Sequence, residues 1–439
     1  MDLRPRISPH RSSAPDSLLL GAFEAALSAV APEKAVPPAL PEPPRGRTIV
    51  VGAGKASAAM ALAVEQHWQR ELSGLVVVPR GYGVKCERVE VVEAAHPVPD
   101  DVGFAAAARI LKIVSDLAPE DLVIALFSGG GSALLPLPAG SVSMEDKRSL
   151  ITQLLRAGAN IGEINCLRKH LSAIKGGRLA CAAYPAAVAN ILISDVAGDD
   201  PATIASGPAV PDPSSLADAR QVIEKYRLQA SPQVLAHLER PGNETPKPGD
   251  PCFSRVSTTI VASAQTLLEA AAAFLEERGV PSLILSDSIE GESREVALVH
   301  AAIARQVAKH GQPISAPGAL LSGGETTVTI RGEGQGGSNM EFLLALVVAL
   351  QDSVSYAAIA CDTDGSDGSS GIAGAVARSD SWRRADGLGL DPRRMLDNND
   401  SRTFFAALGD LVDTGPTFNN VNDLRALLVL GSEECSSAR

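Results

Sequence analysis

Basic side chains are concentrated in residues 165–180, which read NCLRKHLSAIKGGRLA. With 3.6 residues per helical turn, Arg168, Lys175 and Arg178 fall on one arc of a helix. Arginine supplies a planar fork of donors and lysine a mobile positive charge, so such an arc can hold an anionic substrate or a phosphate. The alternative interpretation of an isolated basic stripe is a solvated helix face.

A glycine-rich turn, GAGKAS at 52–57, follows an apparent strand. Gly52 and Gly54 let backbone N–H groups approach an anion at a helix N-terminus, and Lys55 adds a positive charge there. The turn is neither a dinucleotide fingerprint, which needs glycine or alanine in place of Ser57, nor a Walker loop. By itself it is equally consistent with a phosphate site and with a tight structural turn.

A second glycine-rich turn, FSGGGSA at 127–133, follows a strand and precedes a predicted helix. Its candidate ligand-binding residues are Ser128, Gly129, Gly130, Gly131 and Ser132. Three successive glycines can present several N–H donors to phosphate oxygens without a Cβ in the way. This pattern favours a phosphate-binding turn.

Carboxylates follow a further strand in the segment SDVAGDDP at 194–201. Hard oxygen ligands at such a position suit Mg²⁺, which is commonly held by one or two carboxylates together with substrate phosphates. Asp199 or Asp200 can instead cap a helix that begins at Pro201. Asp195 is therefore the better candidate for a metal ligand or a base.

Polar residues of the second half cluster at 322–325, 332–339 and 362–368. Their carboxylates can cap helices, bind hydroxyl groups or hold Mg²⁺, but the segment DTDGSDG does not fit an EF-hand loop because its glycine comes too early. His96 lies on a proline-rich loop, where it either reaches a cleft or makes only local contacts. No Ser/His/Asp or Cys/His arrangement supports a hydrolase.

Short apolar runs alternate with helix patterns along the chain. Strands are predicted at 48–51, 75–78, 89–93, 122–127, 188–193, 258–262, 282–286, 319–330, 356–361 and 424–430, and helices at 15–30, 56–72, 101–117, 265–277 and 292–310. The alternation is typical of βαβ units around a parallel sheet. The sequence therefore predicts two α/β domains, of which the first is Rossmann-like with a mostly parallel sheet.

Proline and glycine divide the chain into four predicted regions. They are an N-terminal helix with a proline-rich connector at 1–46, a Rossmann-like α/β domain at 47–240, a linker at 241–256 and a C-terminal α/β domain at 257–439. The linker is predicted from the segment RPGNETPKPGDP, which is poor in apolar residues.

Composition narrows the range of partners. The 439 residues carry a net charge of -12, which disfavours nucleic acid and anionic membrane and favours a small-molecule partner. The uncharged run at 122–140 is broken by glycine and proline and so does not predict a membrane span. Six cysteines without a C-x-x-C pair are expected to be reduced thiols of a cytoplasmic protein.

Seven motifs together resemble the glycerate 2-kinase family, also called the MOFRL family. They are VGAGKAS, HPVPD, FSGGGSALL, RKHLSAIKGGRLA, ISDVAGDDPATIASGP, LSGGETTVT and DTGPTFNNVNDLR, and the resemblance as a whole runs over about residues 18–430. The resemblance implies transfer of a phosphoryl group from ATP to D-glycerate, giving 2-phosphoglycerate and ADP, with ATP and Mg²⁺ as cofactors. Some relatives carry the name hydroxypyruvate reductase, so an NAD(P)H-dependent reductase is the alternative, although the turn at 52–57 departs from the dinucleotide fingerprint.

The resemblance assigns roles residue by residue. Lys55, which matches the lysine of the family's GAGKA motif, and Asp195 are the catalytic candidates, while Asp195 and Asp199 are the metal candidates. The nucleotide-binding candidates are Gly52, Gly54, Ser128, Gly129, Gly130, Gly131 and Ser132, and the substrate-binding candidates are Arg168, Lys175, Glu325, Asn339 and Asp364. The active site is expected in a cleft between the two domains, whose closure excludes water, and a homodimer is left open.

The chain departs from the family pattern in one region. QGGSNME at 335–341 stands where the family commonly reads RGGRNQE, so Gln335 and Ser338 each replace an arginine and Met340 replaces a glutamine. Asp362 stands where glycine is usual, and Phe418-Asn419 where Gly-Thr is usual. The clustering of these changes supports the hypothesis of an altered acceptor pocket, in a kinase of another hydroxy acid or a weak glycerate kinase. A catalytically silent protein that binds nucleotide or sugar acid is a third interpretation.

Overall fold

The computed structural model describes residues 6–7 and 13–431 of the chain. The chain forms two compact units. Unit 1 comprises the described residues up to Ala31, Asp195–Gly198 and the chain from Ala262 onward, and unit 2 comprises Pro32–Ser194 and Asp199–Val261. The predicted linker at 241–256 lies inside unit 2, and the predicted N-terminal helix belongs to unit 1.

Every predicted strand has a counterpart in the structure. The strands are β1 Arg6–Ile7, β2 Thr48–Ala53, β3 Ser73–Pro79, β4 Val89–Ala94, β5 Leu122–Phe127, β6 Ala187–Ile193, β7 Val256–Ala262, β8 Ser282–Ser286, β9 Gly291–Glu292, β10 Gly318–Ser322, β11 Thr326–Thr327, β12 Tyr356–Asp362, β13 Gly374–Arg378, β14 Leu411–Asp413 and β15 Asp423–Val429. The run predicted at 319–330 forms two strands, β10 and β11, because Gly323 and Gly324 interrupt it.

The helices separate these strands along the chain. They are α1 Ala14–Ala29, α2 Pro32–Ala35, α3 Ser57–His67, α4 Asp101–Val114, α5 Gly131–Leu134, α6 Met144–Arg156, α7 Ile161–His170, α8 Arg178–Ala183, α9 Leu216–Lys225, α10 Pro232–Leu238, α11 Ala264–Glu276, α12 Ser293–His310, α13 Ser338–Leu350, α14 Ser381–Gly387, α15 Pro392–Asp397 and α16 Ser401–Leu408. Among the described residues no single helix is long and apolar enough to cross a membrane, and only the bent pair Ala14–Ala29 and Pro32–Ala39 meets those limits together.

Unit 2 contains a six-stranded sheet in the order β4-β3-β2-β5-β6-β7. Its β2, β3, β4, β5 and β6 pair in parallel, and all residues of β2 and β5 are buried. Strands buried on both faces read as continuous apolar runs, as TIVVGA and LVIALF do here. The predicted Rossmann-like α/β domain is confirmed.

The register of unit 2 places both glycine-rich turns at one edge of its sheet. Ala53, the last residue of β2, pairs with Phe127, the last residue of β5. Ligands of open α/β sheets bind outside the carboxyl ends of the strands. The turns that follow β2 and β5 therefore occupy the expected position for a binding site.

Unit 1 contains a mixed seven-stranded sheet in the order β1-β14-β13-β12-β15-β10-β8, so the second predicted α/β domain is also confirmed. Strand β15 runs antiparallel to both β12 and β10, with Asp423 opposite Asp362 and Arg425 opposite Ser322. The end of β12, the start of β15 and the end of β10 therefore meet at one edge of this sheet.

The continuous helix predicted across 165–180 is wrong. Helix α7 ends at His170, and α8 begins only at Arg178. Between them Gly176 and Gly177 adopt positive φ values of 57° and 83°, which a right-handed helix excludes. Lys175 therefore lies on a loop, and the helix predicted after the turn at 127–133 is likewise only the four-residue α5.

The expectation that all cysteines are reduced thiols is also wrong. Cys181 of α8 forms a disulfide with Cys252, across 71 residues of unit 2. Cys86, Cys166 and Cys361 are free thiols, while Cys435 lies outside the described residues. Spacing alone gave no indication of this pair because its two cysteines belong to no recognisable motif.

Candidate functional site

The two glycine-rich turns of unit 2 are bonded to each other. The backbone N–H of Lys55 donates to the carbonyl oxygen of Gly129 over 2.8 Å. The N–H of Ala56 donates to Oγ of Ser128 over 3.0 Å. The glycine-rich turns at 52–57 and 127–133 are therefore joined by hydrogen bonds at the carboxyl ends of β2 and β5.

Gly54 is required for this close approach. Its φ of +143° is one that other residues rarely adopt, and a Cβ at this position would lie 2.2 Å from Oγ of Ser128. Gly130 has a φ of +83°, and a Cβ there would lie 3.0 Å from Nε2 of His96. The histidine loop that stood out in the sequence therefore packs on the second turn.

A chain of hydrogen bonds joins the second turn to helix α7. Oγ of Ser132 and Oγ of Ser206 are 2.7 Å apart, and Ser206 donates to Oδ1 of Asn165 over 3.2 Å. Nη1 of Arg168 donates to the same Oδ1 over 3.4 Å. This network fixes the guanidinium of Arg168 relative to the turn.

Unit 2 has a pocket of about 400 Å³ beside the second turn, hereafter the cationic pocket. It is lined by Pro97, Val98, Pro99, Ser132, Ala133, Pro136, Met144, Lys147, Arg148, Ile151, Thr152, Leu155, Arg168 and Lys175. The pocket thus brings together three residues singled out from the sequence, Ser132, Arg168 and Lys175. Lys55, which is half-buried, is not among its lining residues.

Three cations of this pocket crowd one another. Nζ of Lys147 donates to the carbonyl oxygen of Pro136 over 3.0 Å, and Nζ of Lys175 donates to that of the preceding residue, Leu135. Burial lowers the pKa of Lys147 to about 7 and that of Lys175 well below its ordinary value, and the charge of Arg168 lowers both pKa values further. Burial also lowers the pKa of Arg168.

Among the described residues, no Asp or Glu side chain pairs with these three basic groups. Lys175 is buried, whereas Lys147 and Arg168 are half-buried. A bound anion stabilises the protonated form of basic groups that lie close together. The cationic pocket therefore has a lining whose chemistry suits an anion.

Arg178 does not belong to this site, although the sequence placed it on the same arc. Its Nη2 donates to the carbonyl oxygen of Asn243 over 2.6 Å. The break between α7 and α8 turns its side chain away, so that Arg178 binds the segment that follows α10.

In unit 1, Asp195 is held by two asparagines. Its Oδ2 accepts a hydrogen bond from Nδ2 of Asn420 over 3.0 Å, and its carbonyl oxygen accepts one from Nδ2 of Asn422 over 2.7 Å. In unit 2, Asp200 caps the turn at 201–203 by accepting from the N–H of Ala202 and from Oγ1 of Thr203. No helix begins at Pro201, so Asp200 caps a turn and not the helix of the capping alternative, while Asp199 adopts a φ of 53°.

The substrate candidates of unit 1 differ in exposure. Glu325 is exposed, Asp364 is buried and accepts from the N–H of Ser366 over 2.7 Å, and Asn339 is fully buried. Nδ2 of Asn339 donates to Oδ1 of Asp423 over 2.6 Å. Asn339 therefore positions its neighbours in this structure and presents no exposed atom.

Comparison with known proteins places this geometry in a family. Family models match residues 18–239, described as a domain of unknown function (DUF4147), and residues 318–423, described as the MOFRL family. A protein of Thermotoga maritima named D-glycerate 2-kinase is 38% identical over 415 residues, which cover 93% of this chain and 98% of its own length. The crystal structure of a glycerate kinase from that organism has a TM-score of 0.87 at 37% identity, covering 94% of this chain and 99% of that chain.

The chain belongs to the glycerate 2-kinase (MOFRL) family. It is a kinase whose acceptor is an alcohol group, as the motifs predicted. A protein of Agrobacterium vitis that is 50% identical over 410 residues, 93% of either chain, is named "Putative hydroxypyruvate reductase". That name keeps the reductase as the alternative.

The family arginine missing from this chain leaves Ser338 at the start of α13. Its Oγ donates to Oδ1 of Asp367 over 3.5 Å, and the N–H groups of Asn339 and Met340 donate to the same carboxylate. Burial raises the pKa of Asp367 to about 7. Ser338 therefore offers the Asp367 carboxylate a hydroxyl donor beside the amide donors of Asn339 and Met340.

The residues fit Mg²⁺ only as a metal that is shared with a nucleotide. The described residues contain no group of three or more His, Cys, Asp or Glu side chains in a metal-binding arrangement. Mg²⁺ typically takes one or two carboxylates and completes its shell with phosphate oxygens and water. Asp195 and Asp199 each remain suited to that limited role.

Sequence reasoning missed Lys147, Asn165 and Ser206. Helix α6, which carries Lys147, reads as an amphipathic surface helix whose lysine would be solvated. The usable signal was the face formed by residues 144, 147, 148, 151 and 155, which repeats at helical spacing and mixes basic with apolar residues.

Replacing Gly54 with alanine is expected to separate the two turns, because its Cβ meets Ser128 and its φ is strained. We expect kcat/KM for the ATP-dependent reaction to fall by about 10²-fold, as displacements near 1 Å do in active sites. Gly81→Ala is the matched control, since Gly81 also has a positive φ, of +86°, with nothing within 4 Å. A loss that is equal in both variants would refute the role of crowding.

Sulfate binding to the cationic pocket is expected to weaken as the pH rises above about 7, by up to tenfold per pH unit. The reason is that Lys147 with its lowered pKa loses its proton there, whereas the charge of sulfate stays constant. Calorimetric titration between pH 6.5 and 8.5 measures this. Lys147→Met should weaken binding and flatten the profile, while the exposed Lys85→Met should not; an unchanged profile in Lys147→Met contradicts the assignment.

Proposed function

We propose that this protein transfers the γ-phosphoryl group of ATP to the 2-hydroxyl of D-glycerate, giving 2-phosphoglycerate and ADP. The observation that carries the proposal is the cationic pocket, in which Lys147, Arg168 and Lys175 lack any carboxylate partner within the described chain. The activity named for the Thermotoga maritima relative, D-glycerate 2-kinase, is of the same class.

Phosphoryl transfer requires positioning and charge neutralisation more than covalent chemistry from the protein. The linked turns at 52–57 and 127–133 supply N–H donors that positive-φ glycines leave accessible. Ser132 and Arg168 are held by one hydrogen-bond network, so both are ordered before a ligand binds. Such preorganisation lowers the cost of binding the polyphosphate.

Lys55 is proposed to neutralise charge that develops on the transferred phosphoryl group. The bond from its backbone to Gly129 fixes its place beside the second turn. Asp195 is proposed either to accept the proton of the attacking hydroxyl or to bind Mg²⁺, and Asn420 orients its carboxylate for either role. Mg²⁺, bound through Asp195, Asp199 and phosphate oxygens, would neutralise negative charge of the triphosphate.

The acceptor is proposed to meet Glu325 and Asp364, as the family resemblance assigns. Ser338 makes this pocket differ from the family pattern, because a guanidinium contributes about 1.5–3 kcal/mol per charged hydrogen bond. We therefore propose that D-glycerate is a weak acceptor, or that another small hydroxy acid is preferred.

We propose that the protein is cytoplasmic and forms a homodimer. We also propose that it has no nucleic-acid or membrane partner. The net charge of -12 supports the last point through long-range repulsion.

The reductase remains the second candidate because of the name of the Agrobacterium vitis relative. In a single purified sample, we expect ADP release that depends on D-glycerate or a related hydroxy acid, and no NADH or NADPH oxidation with hydroxypyruvate. Coupled absorbance assays across a panel of hydroxy acids measure both. Oxidation of the nicotinamide without ADP release would reverse the proposal, and kcat/KM for D-glycerate of roughly 10⁴ M⁻¹s⁻¹ or more would refute the altered pocket.

The same assay tests the charge role of Lys55. Lys55→Ala is expected to lose turnover by about 10²- to 10³-fold, the usual effect of removing a group that stabilises transition-state charge. The exposed Lys85→Ala is the control for loss of any lysine, and thermal unfolding checks that both variants are folded.

A further inference from the structure

One side of the cationic pocket is apolar and faces solvent. Val98 is 66% exposed and Leu155 is 61% exposed, although both line the pocket. Large aliphatic side chains that remain exposed in a concave site indicate a surface that a ligand covers.

Helix α6 joins this apolar side to the cations. Met144, Lys147, Ile151 and Leu155 recur at helical spacing on the face that lines the pocket, while Leu150 and Leu154 face the core. From 147 to 155 the helix axis advances about 12 Å. A ligand in contact with both ends must therefore be long.

The facing wall is tied to the same helix. Nη2 of Arg148 donates to the carbonyl oxygen of Pro99, which fixes the loop carrying Val98 against α6. Val98 and Leu155 therefore belong to one slot, and its walls are aliphatic, in keeping with the low aromatic content of 3%.

We propose that this slot, formed by Val98, Ile151 and Leu155, binds the purine base of the nucleotide, with the phosphates directed along α6 toward Lys147, Arg168 and Lys175. This inference rests on the proposed kinase function. Glycerate is a three-carbon acid with oxygen on every carbon, so it can neither cover an aliphatic wall nor span the length of the site. A nucleoside triphosphate has a base with apolar ring faces at one end and, at the other, a row of phosphates that suits the basic side chains of Lys147, Arg168 and Lys175.

The test compares ATP with tripolyphosphate, which has the same row of phosphates without the nucleoside. Calorimetric titration of the full chain with Mg²⁺ present gives a Kd for each. The double variant Val98→Ser/Leu155→Ser should raise the Kd of ATP roughly tenfold through lost apolar contact. The Kd of tripolyphosphate should stay within about twofold of the unsubstituted value.

A matched control is Leu235→Ser on α10, a leucine that is 42% exposed and does not line the pocket. It should leave both Kd values unchanged. Because Val98 and Leu155 are exposed, their replacement is expected to preserve the fold, which thermal unfolding verifies.

The inference is overturned if the Kd of ATP does not change, if both titrants shift together, or if KM for the hydroxy acid rises in place of the Kd of ATP. Failure of the kinase proposal has a different signature. In that case ATP binds and responds to the double variant, yet no hydroxy acid is phosphorylated, and the purine slot stands without the reaction. Absence of ATP binding to the unsubstituted chain contradicts both.

Discussion

Repulsion between Lys147, Arg168 and Lys175 is the interaction on which the account of this protein depends. Lys175 and Lys147 donate to the consecutive carbonyl oxygens of Leu135 and Pro136, which follow the second glycine-rich turn. Burial removes part of the hydration of all three side chains. No ion pair within the described chain offsets the free-energy cost of this arrangement, since the described residues supply no opposing carboxylate. The proposed polyanionic ligand would stabilise it, at the edge of the sheet where the carboxyl ends of parallel strands present backbone donors.

The small side chains around the site follow from that constraint. Donors of two different turns can converge on one anion only if the turns touch, and the absence of a Cβ at Gly54 allows this contact with Ser128. Charge and close packing therefore act together: the glycines set how near the backbone comes, and the cations set what sign of ligand it accepts. The proposed purine slot lies further along α6, where the pocket lining changes from the charged side chain of Lys147 to the aliphatic side chains of Ile151 and Leu155.

Much of the fold followed from the sequence because its signals are local. Apolar runs such as LVIALF predict buried strands, and the glycine-rich turns after them predict the edge where ligands bind. Arg168, Lys175 and Ser132 were found because cations and glycines are conspicuous. The prediction that Arg178 shares a helical arc with Arg168 and Lys175 is wrong because the Gly176-Gly177 pair breaks the helix. Helical periodicity holds only within one unbroken helix.

Other parts depend on contacts between distant segments, which composition does not reveal. Lys147 resembles any lysine of a surface helix until Pro136 and Arg168 are placed beside it. The pairing of Cys181 with Cys252 and the Ser132–Ser206–Asn165 network join residues far apart in sequence. The effect of Ser338 depends on the buried carboxylate of Asp367, whose raised pKa arises from burial in the folded unit.

A crystal structure of the full chain with Mg²⁺ and a non-hydrolysable ATP analogue tests the central claim most directly. The account predicts phosphate oxygens within hydrogen-bond distance of Nζ of Lys147 and of Lys175, with the base against Val98 and Leu155. Phosphates bound elsewhere, with the three cations still lacking an anion, would contradict it.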